Sequence, residues 1–527
     1  MGITEIRTSY RRMGMAAMAL LVVLTACSDS DNNQPRAQKP QAANPVVEGP
    51  VTGGGGDDCC VLAGGAIDLR DQGYTPGTPF YSGLAYAEAE VGYLETEFFI
   101  SGTAHSYIAT DEVGADGVWS VQTADAADYR SRIVVLRPID QAKFNGTVVV
   151  EWFNVSGGLD ASPDFLAMHT ELVREGYVWV GVSAQSAGIQ GGGGAFDISL
   201  KVVDSERYGS LFHPGDSFSY DIFSQAAQAV RNPVGLDPLD GLQPKRVLAV
   251  GQSQSAFRLV TYYNAVHPTI DLFDGFIIHS RSGAGSNISD DPQAEVPVPD
   301  VVFIRTDLPE PVITLQSETD VFQLNSVTAR QADSSSFRLW EMAGTAHSDL
   351  YTTLKSPQDR GDNPEIADVI LEPKVRPPFI TCRFPANDGP MHFVAKAALH
   401  ALDNWVRDGQ EAPSAPLLST DEAGTAFTYD SLGNVEGGIR TPYVDAPVAV
   451  LHGEGQPPGN AFCGLFGTTE LFPDAQLSAL YSTKQAYIDA IDKTSDEAVT
   501  AGFLRPADAE LIKTWARTSD VAGPPTQ

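Results

Sequence analysis

With 527 residues, 43% of them hydrophobic and 19% charged, the chain has the composition of a globular protein able to fill a sizeable core. Its length suits one elaborated domain with a segment at the N-terminal end that does not fold. The 67 acidic residues against 34 basic ones give a formal net charge of -33, which repels nucleic acid and anionic lipid surfaces and argues against a nucleic-acid partner.

Residues 1–26 read as an export signal. Arg7, Arg11 and Arg12 give a positive start, and residues 13–24 form an apolar run too short for a membrane span. The run ends in Leu24, Thr25, Ala26 and Cys27, which resembles the bacterial lipobox; Cys27 would then be the first mature residue and carry the lipid. Ser28 follows, and the absence of Asp there suits outer-membrane delivery. Residues 27–58, rich in Asp, Asn, Gln, Pro and Gly, lack the apolar content to fold and read as a tether between membrane and folded body. Four cysteines remain, an even number in an exported chain, so disulfides are permitted. The preferred pair is Cys382 with Cys463, which would close a long loop and contribute about 4 to 5 kcal/mol in the chain-entropy picture. Cys59 and Cys60 are adjacent, and free, mutually bonded and intermolecular states stay open for them.

From residue 93 onward strand-like and helix-like segments alternate, the pattern of a mostly parallel sheet flanked by helices. Residues 93–108 and 129–137 are expected as opening strands, and the β-branched and aromatic run 147–153 as a buried one. A helix beginning near Ser162 and Asp164 should bury Phe165, Met168, Leu172 and Val173 and stop at Gly176. Residues 177–182 make the next strand, and the glycine-rich stretch 188–194 a loop; with no GK(S/T) after it, it is not a phosphate loop. A helix over 220–231 precedes the compact apolar strand 246–250. Residues 273–278, 312–315 and 337–340 supply three more strands, each followed by polar residues at the sheet's carboxyl edge, where ligands bind. A late helix covers 393–406, and the tail holds at least one more near 477–491. The division expected is a catalytic domain over 59–410, with insertions forming a lid, and a C-terminal extension over 411–527 packed on it.

The strand 247–250 runs directly into Gly251, Gln252, Ser253, Gln254 and Ser255, and then into the helical pattern Ala256, Phe257, Leu259, Val260, Tyr263. This is a nucleophile elbow, a sharp strand-to-helix turn that exposes a serine above the sheet. Ser255 stands where the common GxSxG pattern has its second glycine, a departure that a small side chain tolerates. A serine needs a base to take its proton, and the base needs an acid to fix its tautomer. Candidate acids, Glu318 and Asp320, follow the strand 312–315, and a candidate histidine, His347, follows the strand 337–340 by a short loop.

On the GQSQS elbow, the SETD acid loop and the GTAHSD histidine loop, residues 93–410 resemble the α/β-hydrolase superfamily, in particular its large secreted bacterial members. The resemblance implies the chain order serine, acid, histidine. That order removes His105, His169 and His213, which precede Ser253, and makes His347 the base, with His392 in reserve. His267, beside Pro268 at a helix end, reads as a cap, and His279 as a pocket-lining residue; His400 and His452 read as structural. Register favours Asp320 over Glu318 as the acid; the other carboxylate would anchor the turn, and Asp349 belongs to local turn structure. Two N–H donors must face a tetrahedral oxyanion, one the amide of Gln254, the other that of Val155 or Ser156 in the loop Asn154 to Gly158. The resemblance further implies ester hydrolysis through an acyl-enzyme with no metal or organic cofactor; the cysteines lack zinc-ligand spacing, and neither HExxH nor an EF-hand pattern occurs. The expected substrate is a small or medium ester met outside the cytoplasm, with the membrane reached through the lipid anchor. The alternatives are a peptidase or amidase with the same triad, which would need a charged group for a peptide terminus, and a non-catalytic surface-binding lipoprotein.

Overall fold

Eight strands carry the architecture: β1 Tyr93–Ala109, β2 Val121–Pro138, β3 Thr147–Trp152, β4 Val178–Val182, β5 Arg246–Gln252, β6 Gly275–His279, β7 Val312–Ser317 and β8 Phe337–Met342. They lie in the order β8-β7-β6-β5-β3-β4-β2-β1, and two-residue strands, Val61–Leu62 and Val234–Gly235, extend the sheet beyond β1. Every pairing from β8 across to β4 is parallel, while β4–β2 and β2–β1 are antiparallel. The computed structural model describes residues 61–62, 79–192, 198–371, 382–457 and 461–524. The expected export signal, the tether, Cys27, Cys59, Cys60, and Gly193 and Gly194 of the glycine-rich stretch lie outside the described residues.

The parallel strands are buried on both faces, which is why they read as continuous apolar runs instead of alternating ones. In β3 all six residues are buried, and in β5 all seven. Successive side chains serve different layers. Val148, Val150, Val247 and Ala249 point into one core with the helices α2 (Ser219–Arg231) and α3 (Gln254–Thr261). Val149, Leu248 and Val250 point into the other, against α1 (Pro163–Glu175) and α4 (Met391–Asp408). Helix α1 ends at Gly176, whose φ of 76° is the left-handed cap that glycine adopts without steric cost.

The stretch 188–194 is expected as a loop, but its first residues belong to the short helix Ser186–Gln190. The second strand begins at Val121 and not at residue 129, because its first half is exposed and polar and carries no apolar period; it is held by its ladder to β1, with Tyr107 facing Thr123 and Ala109 facing Val121. Where at least one helix is expected near 477–491 there are two: Asp474–Leu480, and α5 over Lys484–Ala501, whose N-cap Thr483 accepts from the amide of Ala486. Helix α6 (Pro506–Thr518) follows and packs beside α5 around Tyr487, Ile491, Ile512 and Trp515.

The segment after α4 lies against the body of the sheet. Trp340 of β8 donates from its indole to the carbonyl of Pro413 and meets Phe503 edge-on at 5.0 Å. Lys396 of α4 faces Asp508 of α6 at 3.7 Å, and Arg505 pairs with Glu171 of α1 at 2.6 Å. Cys382 and Cys463, with Cα atoms 5.4 Å apart, form a disulfide.

Candidate active site

At the end of β5 the backbone reverses into α3 through Ser253, whose φ of 61° and ψ of -122° put a non-glycine residue in a strained conformation. The turn is held by the amide of Ser253 donating to the carbonyl of His279, and that of Phe257 donating to the carbonyl of Ser253. Gly251 suits this turn: a Cβ on it would lie 3.0 Å from Leu259 and 3.1 Å from the Cβ of Ser255, closer than side chains ordinarily pack. The same crowding explains why position 255 holds a small residue, and why serine suffices when Gly251 leaves the space.

Ser253 Oγ–H donates to Nε2 of His347 at 3.0 Å, and Nδ1–H of His347 donates to Oδ1 of Asp320 at 2.6 Å. A carboxylate only accepts, so this contact fixes the tautomer with the proton on Nδ1. All three side chains are fully buried. Asp320 is positioned by its own helix end. Ser317 caps the short helix Glu318–Phe322, its hydroxyl accepting from the amide of Asp320, while Oδ2 of Asp320 accepts from the amide of Ser317 at 2.7 Å. This capping box uses one carboxylate oxygen and leaves the other for the imidazole. Burial raises the Asp320 carboxyl, but the charge and hydrogen bond of His347 and the Ser317 amide outweigh it and hold the group below its usual range.

Glu318 turns away from His347. Its two oxygens accept from the amides of Gly344, at 2.6 Å, and Gly453, at 2.7 Å, so it ties the histidine loop to the C-terminal segment. Burial pushes its carboxyl up to about 8, against the pull of those two amides. The histidine loop is further held by the Thr319 hydroxyl accepting from the amide of His347, and by the side-chain amide of Gln252 donating to the carbonyl of His347. The amide of Ser348 donates to the carbonyl of Leu465, two residues past the Cys382–Cys463 bridge. Asp349 caps the turn after it, accepting from the amide and hydroxyl of Thr352.

Between the two amides weighed beside that of Gln254, the geometry distinguishes. The amide of Ser156 donates to Oδ1 of Asn154 at 2.9 Å and is thus engaged within its own loop. The amide of Val155 has no internal acceptor among the described residues. Asn154, a residue the sequence reading passed over, also donates from Nδ2 to the carbonyl of Gln252 at 3.0 Å and so fastens this loop to the elbow strand.

The remaining histidines lie elsewhere. His392 in α4 stacks on Tyr351 at 3.5 Å, and burial lowers its pKa well below the ordinary value, so it has no part in the relay. His279 presents its carbonyl to Ser253 and donates from Nδ1 to Asp164, the acid expected at the start of α1. His267 is not a cap: its ring packs between Tyr263 and Phe276, with Nε2 3.3 Å from Glu310. With Asp271 these two form the one group among the described residues whose ligand atoms converge closely enough to hold a metal ion, within 4.8 Å of one another. It belongs to the far end of the π-helical turn Tyr262–Val266 that continues α3, away from Ser253.

A family profile described as "alpha/beta hydrolase domain" matches residues 47–514. Among solved structures, the chain is similar to a serine hydrolase without lid from Xanthomonas campestris (14% identity, 46% of this chain, 86% of that one, TM-score 0.24). It is similar also to acetyl xylan esterase 1 from Thermoanaerobacterium (11%, 45% and 81%, TM-score 0.24) and to a glucuronoyl esterase from Solibacter usitatus (11%, 46% and 66%, TM-score 0.22). No curated protein matches the sequence.

Glu318 generates a prediction of stability against pH. Its folded pKa, about 8, lies above that of the unfolded chain. Its contribution is therefore fully present below the unfolded value, near 4.3, and is lost as pH rises through the folded one. Glu318→Gln removes that titration at the cost of one amide contact. Urea unfolding is expected to show the wild type more stable than the variant at about pH 5, with the gap narrowing toward about pH 9. A gap that widens with pH contradicts the assignment.

Proposed function

Because the chain belongs to the alpha/beta hydrolase domain family, we propose that it is a serine-dependent carboxylester hydrolase that works through an acyl-enzyme. The observation carrying the proposal is the relay from Ser253 Oγ to His347 at 3.0 Å and on to Asp320 at 2.6 Å, formed entirely from buried groups. As Oγ attacks the ester carbonyl, Nε2 of His347 takes its proton, and the ionised Asp320 stabilises the imidazolium. The oxyanion accepts from the amides of Gln254 and Val155. Collapse expels the alcohol, which takes the proton from Nε2. A water then repeats the sequence, giving its proton to Nε2 as it attacks the acyl carbonyl, and Ser253 is released with its proton restored.

A fluorophosphonate probe tests this directly, since only an activated serine is phosphonylated. The wild type is expected to be labelled and to turn over aryl esters; Ser253→Ala, which removes one hydroxyl and leaves packing unchanged, is expected to lose both. Labelling that survives in the variant moves the nucleophile elsewhere. Comparing aryl esters with aryl amides separates an esterase from an amidase with the same triad.

The roles of the two acids are separable by turnover. Asp320→Asn leaves His347 without the acceptor that sets its tautomer and is expected to lower kcat on the order of 10⁴-fold. Glu318→Gln acts only through loop support and is expected to cost far less. The reverse ranking gives the orienting role to Glu318.

The reading of Cys27 as a lipid-carrying residue leads us to propose an enzyme anchored at the cell envelope, most simply at the outer membrane, by a tether independent of the site. Several acyl chains, at about 0.8 kcal/mol per buried methylene, hold a protein stably where a single chain does not. Cys27→Ser is expected to abolish lipid labelling while leaving esterase activity in the soluble product. Wild-type protein recovered without lipid from the soluble periplasm would reduce residues 1–26 to a plain secretion signal.

A further inference from the structure

The side chain of Gln254, next to Ser253 in the chain, ends in a buried carbonyl oxygen with no hydrogen-bond partner. Its other end is occupied: Nε2–H donates to Oε1 of Gln185 at 2.9 Å. An amide can be turned over to exchange its ends, but here the neighbours forbid it. The indole N–H of Trp152 is a donor only, and it reaches the same Oε1 of Gln185 at 3.0 Å, so that atom is an acceptor. Nε2 of Gln185 in turn donates to Oδ2 of Asp216 at 2.9 Å. Desolvation works against ionising Asp216, yet Arg258 and His213, with donors from Gln185 and Ser186, hold its carboxyl below the usual range. The polarity therefore runs one way, from Gln254 and Trp152 to Gln185 and from Gln185 to Asp216. Oε1 of Gln254 is left as a fixed acceptor.

Its place in the fold gives that acceptor a use. Trp152 ends β3 and Gln185 follows β4, both on the side of β5 that carries the loop Asn154 to Gly158. His347 and Asp320 follow β8 and β7 on the other side. Gln185, to which the Gln254 amide is fastened, thus lies on the oxyanion side of the nucleophile, on the strands opposite those that carry the relay. A buried acceptor left without a donor is unfavourable, and such atoms in native proteins mark the place of a water or a ligand group.

We propose that Gln254 Oε1 is a specificity group, accepting a hydrogen bond from a hydroxyl or N–H that the substrate carries close to its scissile carbonyl. The preferred esters are then those of hydroxylated or amide-bearing acids or alcohols, and the aliphatic analogue is disfavoured because it displaces water and strands the acceptor. The inference rests on the reading of Ser253 as nucleophile.

Two matched pairs of probes test it. On the acyl side, para-nitrophenyl β-hydroxybutanoate is compared with para-nitrophenyl butanoate; on the alcohol side, ethylene glycol monobutanoate is compared with propyl butanoate. The wild type is expected to favour the hydroxylated member of one pair by about tenfold or more in kcat/KM, and the pair concerned tells which side of the ester the donor occupies. Gln254→Met, close in shape but without the amide, is expected to bring that ratio near one. Gln185→Leu, which frees the Gln254 amide to rotate, is expected to lower the ratio as well. Equal rates within both pairs overturn the proposal and leave the serine hydrolase reading intact, as does a preference that persists in Gln254→Met. Absence of both turnover and fluorophosphonate labelling in the wild type overturns the reading of Ser253 itself, and the proposal with it.

Discussion

The buried contact between Asp320 and His347 is the constraint to which the carboxyl edge of the sheet is fitted. Placing a carboxylate where no water reaches it is unfavourable by several kcal/mol unless fixed donors replace the hydration. Asp320 has such replacements on each oxygen, an imidazole N–H on one and the amide of Ser317 on the other. Those donors belong to different strands, β8 through its following loop and β7 through its last residue, which pair in parallel from Phe337 against Val312 to Met342 against Ser317. Slipping that register would carry His347 away from the acid and leave the buried Asp320 with the Ser317 amide alone. The geometry of the relay is in this sense a property of strand pairing, with the loops only completing it.

The neighbouring Glu318 meets the same burial with a different outcome. Two amide donors and the charge of Arg440 pull it down, but desolvation dominates. Two carboxyl groups separated by one residue are thereby driven apart in acidity, one held ionised beside the imidazole, the other inclined to neutrality. Such a split keeps the two from repelling each other and leaves a single negative charge for His347 to face. On the other side of Ser253 a cation performs the corresponding task. Arg258, one turn into α3, pairs with Asp216 at 3.3 Å and Asp290 at 3.0 Å and lies over the Tyr220 ring, which binds the insertions after β4 and after β6 to the helix that begins at the elbow.

The parts of this arrangement that were legible in the sequence are those with a local signature. The runs that became β3 and β5 are apolar because both faces are covered, and the glycine, serine and helical pattern after β5 follow from the crowding around Gly251. Asp320 could be favoured over Glu318 by register alone, but only packing shows why Glu318 turns outward: its partners are Gly344 and, far along the chain, Gly453. The Val155 and Ser156 alternatives were inseparable in sequence because the deciding contact is the Asx turn that Asn154 makes with Ser156. Gln185 and Asp216 carry no motif at all; they matter through partners that fall on other loops. The polar first half of β2 and the break before Thr483 escaped for a related reason, since a ladder and a cap, and not apolar periodicity, define them.

The segment after α4 looks like an appendage in sequence because it starts after the last strand of the sheet and carries no motif. Its contacts place it differently. The Gly453 amide reaches Glu318, the Gly453 carbonyl accepts from the Thr319 hydroxyl, and that same Thr319 oxygen accepts from the amide of His347. Leu465 takes the amide of Ser348, and the Cys382–Cys463 bridge lies in a cluster with Leu350 and Phe466 just beyond. The loop bearing His347 is thus gripped from one side by the acid loop and from the other by residues more than a hundred positions downstream. A histidine on a free surface loop would sample many orientations, and most would leave Ser253 without its acceptor. Here the C-terminal segment restrains that loop, so the contact of His347 with Ser253 rests on residues from both parts of the chain.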